Sequence, residues 1–109
     1  MVYQAYSESD IKTQYKVRPF NIGDNKFLIT REGDIFRKMK SKNWKKIENK
    51  GNHKKGYNVI QVDNKQYMRS TLIAMVYFKL NTDKKYYIFH KNKNKLDTTI
   101  TNLKIVYVS

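Results

Sequence analysis

The chain has 109 residues, 39% hydrophobic and 14% aromatic, and its 23 Lys and Arg against 9 Asp and Glu give a formal net charge of +14. That length suits one domain with a small core, and the absence of cysteine excludes disulfides, thiolate zinc sites and cysteine nucleophiles. So one-sided a charge repels itself unless a polyanion relieves it, and nucleic acid is the usual polyanion. A solubility surface, or the Lys/Asn drift of an AT-rich genome, is the plainer explanation.

In chain order, residues 1–26 read as an N-terminal extension. Its start, MVYQAYSESDIK, has no basic n-region and no long apolar run, so no signal peptide is expected. FLITREGDIFR reads as strand, turn, strand: Phe27 to Thr30, a turn at Arg31-Glu32-Gly33-Asp34, then Ile35 onward, with Gly33 supplying positive φ. Trp44 to Ile47 is a short strand or edge, and NKGNHKKG is a polar loop. Tyr57, Val59 and Gln61 alternate with Asn58, Ile60 and Val62, and DNK makes a tight hairpin into QYMR. Residues 27–68 are thus a β-rich basic module, a small antiparallel sheet. In STLIAMVYFKL the period changes: Leu72, Met75, Val76 and Lys79 follow helical spacing, and Ser70 or Thr71 can cap. A buried helix over about 70–79 is expected, with an internal strand as the alternative.

After NTDKK, YYIF is a strand, Lys91 to Lys95 a loop, Asp97 the cap of a single helical turn through Ile100, and LKIVYVS a last strand. No repeat, linker or second domain is visible. The longest apolar stretch, Leu72 to Phe78, is too short to span a bilayer. The expectation is a soluble, intracellular protein of the cytoplasm or nucleoid, or virus-associated, with no membrane partner. The apolar VYVS strand could pair with a partner strand, which leaves a homodimer or docked complex open.

Lysine dominates the basic residues, with only Arg18, Arg31, Arg37 and Arg69 as arginines. Arginine is the side chain that reads guanine edges with two bonds, so this surface suits phosphate contact more than base readout. Lys38, Lys40, Lys42, Lys45, Lys46, Lys50, Lys54 and Lys55 crowd one segment whose single acid is Glu48, with Trp44 and Tyr57 interleaved. Such an element can lie along a duplex backbone or offer rings to unstacked bases, although Trp44 reads better as the buried anchor of the sheet. Lys84, Lys85, Lys91, Lys93 and Lys95 form a second cluster. The expected nucleic-acid contacts are Lys38, Lys40, Lys42, Lys45, Lys46, Lys54, Lys55, Lys91, Lys93 and Lys95. His53 reads as an exposed loop side chain, and two histidines without neighbouring acids make no metal constellation. The carboxylates sit mostly at turns, where turn and cap chemistry accounts for them. REGDIF is a hairpin turn and no phosphate cradle.

Four stretches in one order carry a resemblance. FLITREGDIFR stands where a module of the form Y-x-V-S-x-x-G-x-V-x-S would, and GYNVIQV (Gly56 to Val62) where G-Y-x-x-V-x-L would. STLIAMVYF (Ser70 to Phe78) matches a helix H-R-L-V-A-x-x-F, and FHKNKNKLDTTITNLKIV (Phe89 to Val106) matches D-H-x-D-G-N-x-x-N-N-x-x-x-N-L-x-W-V. Over residues 27–106 the chain resembles the HNH homing endonucleases of phage introns, with their ββα-metal motif. The resemblance implies an α+β fold: a small antiparallel sheet, one buried helix, and a C-terminal ββ remnant that lacks the metal-binding helix. It divides the chain, still a single domain over 1–109, into the extension 1–26, the basic module 27–68 and a truncated HNH-like motif over 69–109.

In that family an Asp before the histidine and an Asn on a following helix hold a divalent cation against the scissile phosphate, while the His acts as general base and the Asn of NL orients it. Carried over, the resemblance places His90 as the base and Asn102, twelve positions on, as its orienting partner. The Asp position is Phe89, which offers no oxygen to a hard cation. The helix with the Asn ligand would begin after Val106, and the sequence runs only to Ser109. The expectation is therefore a non-catalytic nucleic-acid-binding protein, viral or mobile-element-like, with DNA favoured. His90 and Asn102 are then relic positions, with no catalytic residue, no metal ligand and no cofactor. The alternatives are an interaction protein with an acidic protein or ribonucleoprotein partner, and a nickase that borrows its missing ligands and uses Mg²⁺.

Overall fold

The computed structural model describes residues 5–108. The first four residues of the expected extension and Ser109 lie outside the described residues. Among the described residues two short α-helices and nine strands make an α+β fold in which every strand pairing is antiparallel.

The described part of the extension is itself folded. It folds as β1 (Ala5–Tyr6), α1 (Glu8–Gln14) and β2 (Val17–Ile22), and both strands join the main sheet. Ser7 caps α1: its Oγ accepts the Asp10 amide at 3.1 Å, Glu8 and Asp10 stand in the first turn, and Lys12 reaches back to Glu8 at 3.0 Å. β2 carries Pro19, tolerable because β2 is an edge strand with one ladder partner. The sheet runs β1-β5-β4-β3-β2, with β3 (Asn25–Thr30), β4 (Ile35–Lys38) and β5 (Trp44–Lys46) in its centre.

Both faces of that sheet are covered, which explains why FLIT and IF read as continuous apolar runs. On one face Leu28, Phe36 and Trp44 pack with Ile11 of α1. On the other, Phe27, Ile29 and Ile35 join Ile60, Val62, Leu72, Ile73 and Leu103. Those residues come from separate elements, a correction to the single expected sheet. β6 (Val59–Val62) and β7 (Lys65–Met68) form one hairpin, and β8 (Tyr86–His90) and β9 (Leu103–Tyr107) another. At the β6–β7 turn Asp63 and Asn64 take φ +49° and +66°, the double left-handed pair of a type I′ turn.

The buried helix is present as α2 (Arg69–Tyr77), with Leu72, Ile73 and Ala74 inaccessible to solvent. Its cap is not Ser70 or Thr71. The chain passes straight from β7 into the helix, Met68 is the N-cap with no side-chain bond, and the Arg69 amide donates instead to the Asn58 carbonyl at 3.0 Å. The expected turn after Asp97 also shifts: a 3₁₀ turn spans Ile100–Asn102 with Thr99 as its N-cap, and Asp97 Oδ1 accepts the Thr99 amide at 3.3 Å one step earlier.

The two halves lock at the β3–β4 turn. Arg69, 2% exposed, sends Nε to the Gly33 carbonyl (3.1 Å) and Nη1 to Asn58 Oδ1 (3.0 Å). Nη2 reaches the Ile47 carbonyl (3.1 Å), and Nη1 also lies 3.5 Å from the Glu48 carbonyl. Burial pushes its pKa down to about 10, against the pull of nearby Asp34. Gly33, at φ +93°, leaves room for Thr98, and two further bonds reach the same turn. The Ile100 amide donates to the Arg31 carbonyl at 2.9 Å and Thr99 Oγ1 to the Glu32 carbonyl at 3.2 Å.

Candidate nucleic-acid interface

A loop can hold several lysines together only if something other than their mutual repulsion fixes it. In residues 91–97 asparagines do this. Asn102 Oδ1 accepts the Asn92 amide (3.0 Å), while its Nδ2 donates to Asn92 Oδ1 (3.0 Å) and to the Asp97 carbonyl (2.8 Å). Asn92 Oδ1 in turn accepts the Asn94 amide, and Asn94 Oδ1 the Leu96 amide. Lys91, Lys93 and Lys95 are left exposed, with Lys93 in the left-handed region at φ +64°. The Asn102 amide thus organises this loop.

The loop before β6 is built the same way. Asn52 bonds Val59 through both amide atoms, Asn58 Nδ2 donates to the Lys50 carbonyl, and His53 Nδ1 accepts the Lys55 amide. His53 is half-buried by these contacts, not the exposed side chain expected. The two loops then meet. Lys95 Nζ donates to the Lys55 carbonyl at 2.6 Å and lies 4.9 Å from the centre of the Tyr57 ring, and Asn49 Nδ2 donates to the Leu96 carbonyl. Lysines 40 positions apart in sequence share one surface. Among the described residues Lys54, Lys55, Lys91, Lys93 and Lys95 form no ion pair with a carboxylate.

The remaining expected lysines are arranged differently. Lys45 and Lys46 lie on β5, where they line a groove of about 530 Å³ with Arg37, Lys50, Asn52 and Gln61. Lys46 also pairs with Asp34 at 3.6 Å, and Arg37 is committed to the Gln61 carbonyl and Asn25 Oδ1. Lys38, Lys40 and Lys42 belong to the end of β4 and its turn into β5. Trp44 is 2% exposed within the core, so its ring is not available to a base.

His90 closes β8. Because side chains alternate across a strand, His90 and Phe89 point to opposite faces. Phe89 is 52% exposed, while the His90 ring packs inward at 5.9 Å from Tyr57. Burial, with Lys95 adding to it, holds the imidazole below its ordinary pKa in spite of Asp97 nearby. Its Nε2 is buried without a hydrogen-bond partner. Phe89 brings no oxygen to a hard cation, and among the described residues no group of three or more His, Cys, Asp or Glu gathers.

The depressed pKa of His90 has a sign. Above pH 6.5 the ring is neutral in the folded and unfolded chain alike. Below it the unfolded chain takes up a proton that the folded one does not, so stability falls until the folded ring titrates as well. His90→Gln is expected to lose less stability than the parent in urea unfolding when the pH is lowered from neutral to below the ring's ordinary pKa. Equal losses would place the pH sensitivity elsewhere.

Sequence reasoning missed the contact between the two loops and the outward-facing rings of β8. The second was open to it: pairing YYIFH with LKIVY puts Tyr87, Phe89, Lys104 and Val106 on one face. Compared with known proteins, the chain matches no sequence family, no curated protein and no solved structure.

Proposed function

We propose that this protein binds nucleic acid, DNA foremost, without cleaving it, and that it is a degenerate relative of the HNH homing endonucleases of phage introns. One observation carries the binding: Lys95 reaches the Lys55 carbonyl, so two lysine loops distant in sequence form a single basic surface whose lysines, among the described residues, make no ion pair with a carboxylate. Asparagine bonds fix both loops in advance, which lowers the ordering cost of binding. Lysines bring point charges to phosphates, and binding of this kind positions a backbone without reading sequence. The proposed absence of cleavage rests on Phe89, which offers a cation no oxygen, and on the inward-packed His90, whose Nε2 has no hydrogen-bond partner. The same resemblance makes the β8–β9 hairpin the remnant of a ββα-metal motif.

The test is a salt titration of duplex binding by fluorescence anisotropy. With lysines on phosphates, log Kobs should fall linearly with log salt, by roughly 0.9 per phosphate contacted. Changing Lys54, Lys55 and Lys95 to Gln should flatten that slope by about two to three, and parent and variant alike should leave plasmid intact with Mg²⁺. No binding at low salt, or cleavage that vanishes in His90→Ala, overturns the reading.

A further inference from the structure

The outer face of the β8–β9 hairpin is apolar, aromatic and uncovered. Tyr87 is 49% exposed and Phe89 52%, and their rings lie 6.4 Å apart, tilted by 41°. Tyr87 stands opposite Val106, itself exposed, and Phe89 opposite Lys104. Cations rim this face. Lys85 Nζ lies 5.9 Å from the centre of the Tyr87 ring, Lys104 stands opposite Phe89, and Lys91 follows β8. Over residues 84–109 the only carboxylate side chain is Asp97. Tyr87 also borders a groove of about 440 Å³ lined by His53, Lys55, Tyr57 and Tyr86.

An occupant must be anionic along its length and must also present flat apolar surfaces. A duplex meets the first condition and hides its base faces, whereas an unpaired strand meets both. From the ring pair and its lysine rim we infer that the outer face of β8–β9 is a stacking platform for the unpaired bases of a single-stranded nucleic acid. Tyr87 and Phe89 take successive bases, and Lys85, Lys91 and Lys104 take the phosphates. The inference rests on the nucleic-acid reading above and adds a class of substrate and a second surface to it.

Anisotropy with labelled oligothymidylate, oligouridylate and a duplex tests it on the full chain. Both rings are half exposed, so Tyr87→Ala and Phe89→Ala are expected to fold, with the Trp44 emission of the parent. Each should weaken single-strand binding about five- to a hundredfold and duplex binding less than about twofold. Tyr87→Phe, which keeps the ring, should retain the parent affinity. Binding of either single strand with this pattern supports the platform, and the ratio of the two strands shows whether the sugar matters. If both alanine variants bind single strands as the parent does, the platform is wrong and the lysine surface stands. If neither single strand nor duplex binds at low salt, both readings fall. Dimers in sedimentation that Phe89→Asp dissolves would assign the face to a second copy of the chain and overturn the inference.

Discussion

Arg69→Met is expected to lose about 3–5 kcal/mol of stability, a large share of what holds a domain of this size together. The reason lies in what the guanidinium touches. Three of its partners are main-chain carbonyls, those of Gly33, Ile47 and Glu48, and the fourth is Asn58 Oδ1. A buried ion pair can be swapped as a unit for apolar side chains at little cost, but main-chain carbonyls cannot be removed along with the arginine. Left in place and unpaired, each costs about 1–3 kcal/mol. Arg69→Lys keeps the charge and gives up the planar fork, so it should recover only part of the loss. Urea unfolding followed by Trp44 emission reads both variants. A shift of less than about 1 kcal/mol in the methionine variant would mean that the surroundings satisfy those oxygens without it.

Gly33→Ala is the second large effect, about 3 kcal/mol or more. An added Cβ would lie 2.5 Å from Thr98 Oγ1, 3.0 Å from the Thr98 carbonyl carbon and 3.1 Å from its oxygen. The hydroxyl could rotate away, but the backbone of residue 98 is pinned by its neighbours' bonds to Arg31 and Glu32. A φ of +93° adds about 1–2 kcal/mol for any residue with a Cβ. Double substitution with Thr98→Gly should relieve the side-chain part of the clash and leave the backbone strain. The remedy should thus be partial in thermal unfolding, and full rescue would show that the clash alone mattered.

Local chemistry was readable where one residue type decides the geometry. Gly33 marked the β3–β4 turn, Asp63-Asn64 the β6–β7 turn, and the spacing of Leu72, Met75 and Val76 the buried helix. α1 was not readable because its burial depends on one side chain, Ile11, finding Leu28, Phe36 and Trp44 far along the chain. The helix cap was misplaced by two or three residues because a hydroxyl suggested a cap where a carbonyl from Asn58 does the work. Lysine clustering was legible as composition, but the meeting of Lys55 with Lys95 needs the asparagine bonds that fold each loop. Arg69 looked like one basic residue among many, and only the convergence of three distant segments makes it the most buried charged side chain among the described residues.

Leu103 belongs to the same core cluster as Phe27 and Ile29, and the turn that begins β4 is completed by residues 98–100. The inner face of the first sheet therefore closes in stages: Ile60, Val62, Leu72 and Ile73 cover it first, and Leu103 adds to the seal later. Strands made early wait, greasy side outward, for partners made well after them. Such a topology slows closure and lengthens the interval in which nascent chains stick to one another, so production of this protein should depend on how well its unfinished forms are shielded.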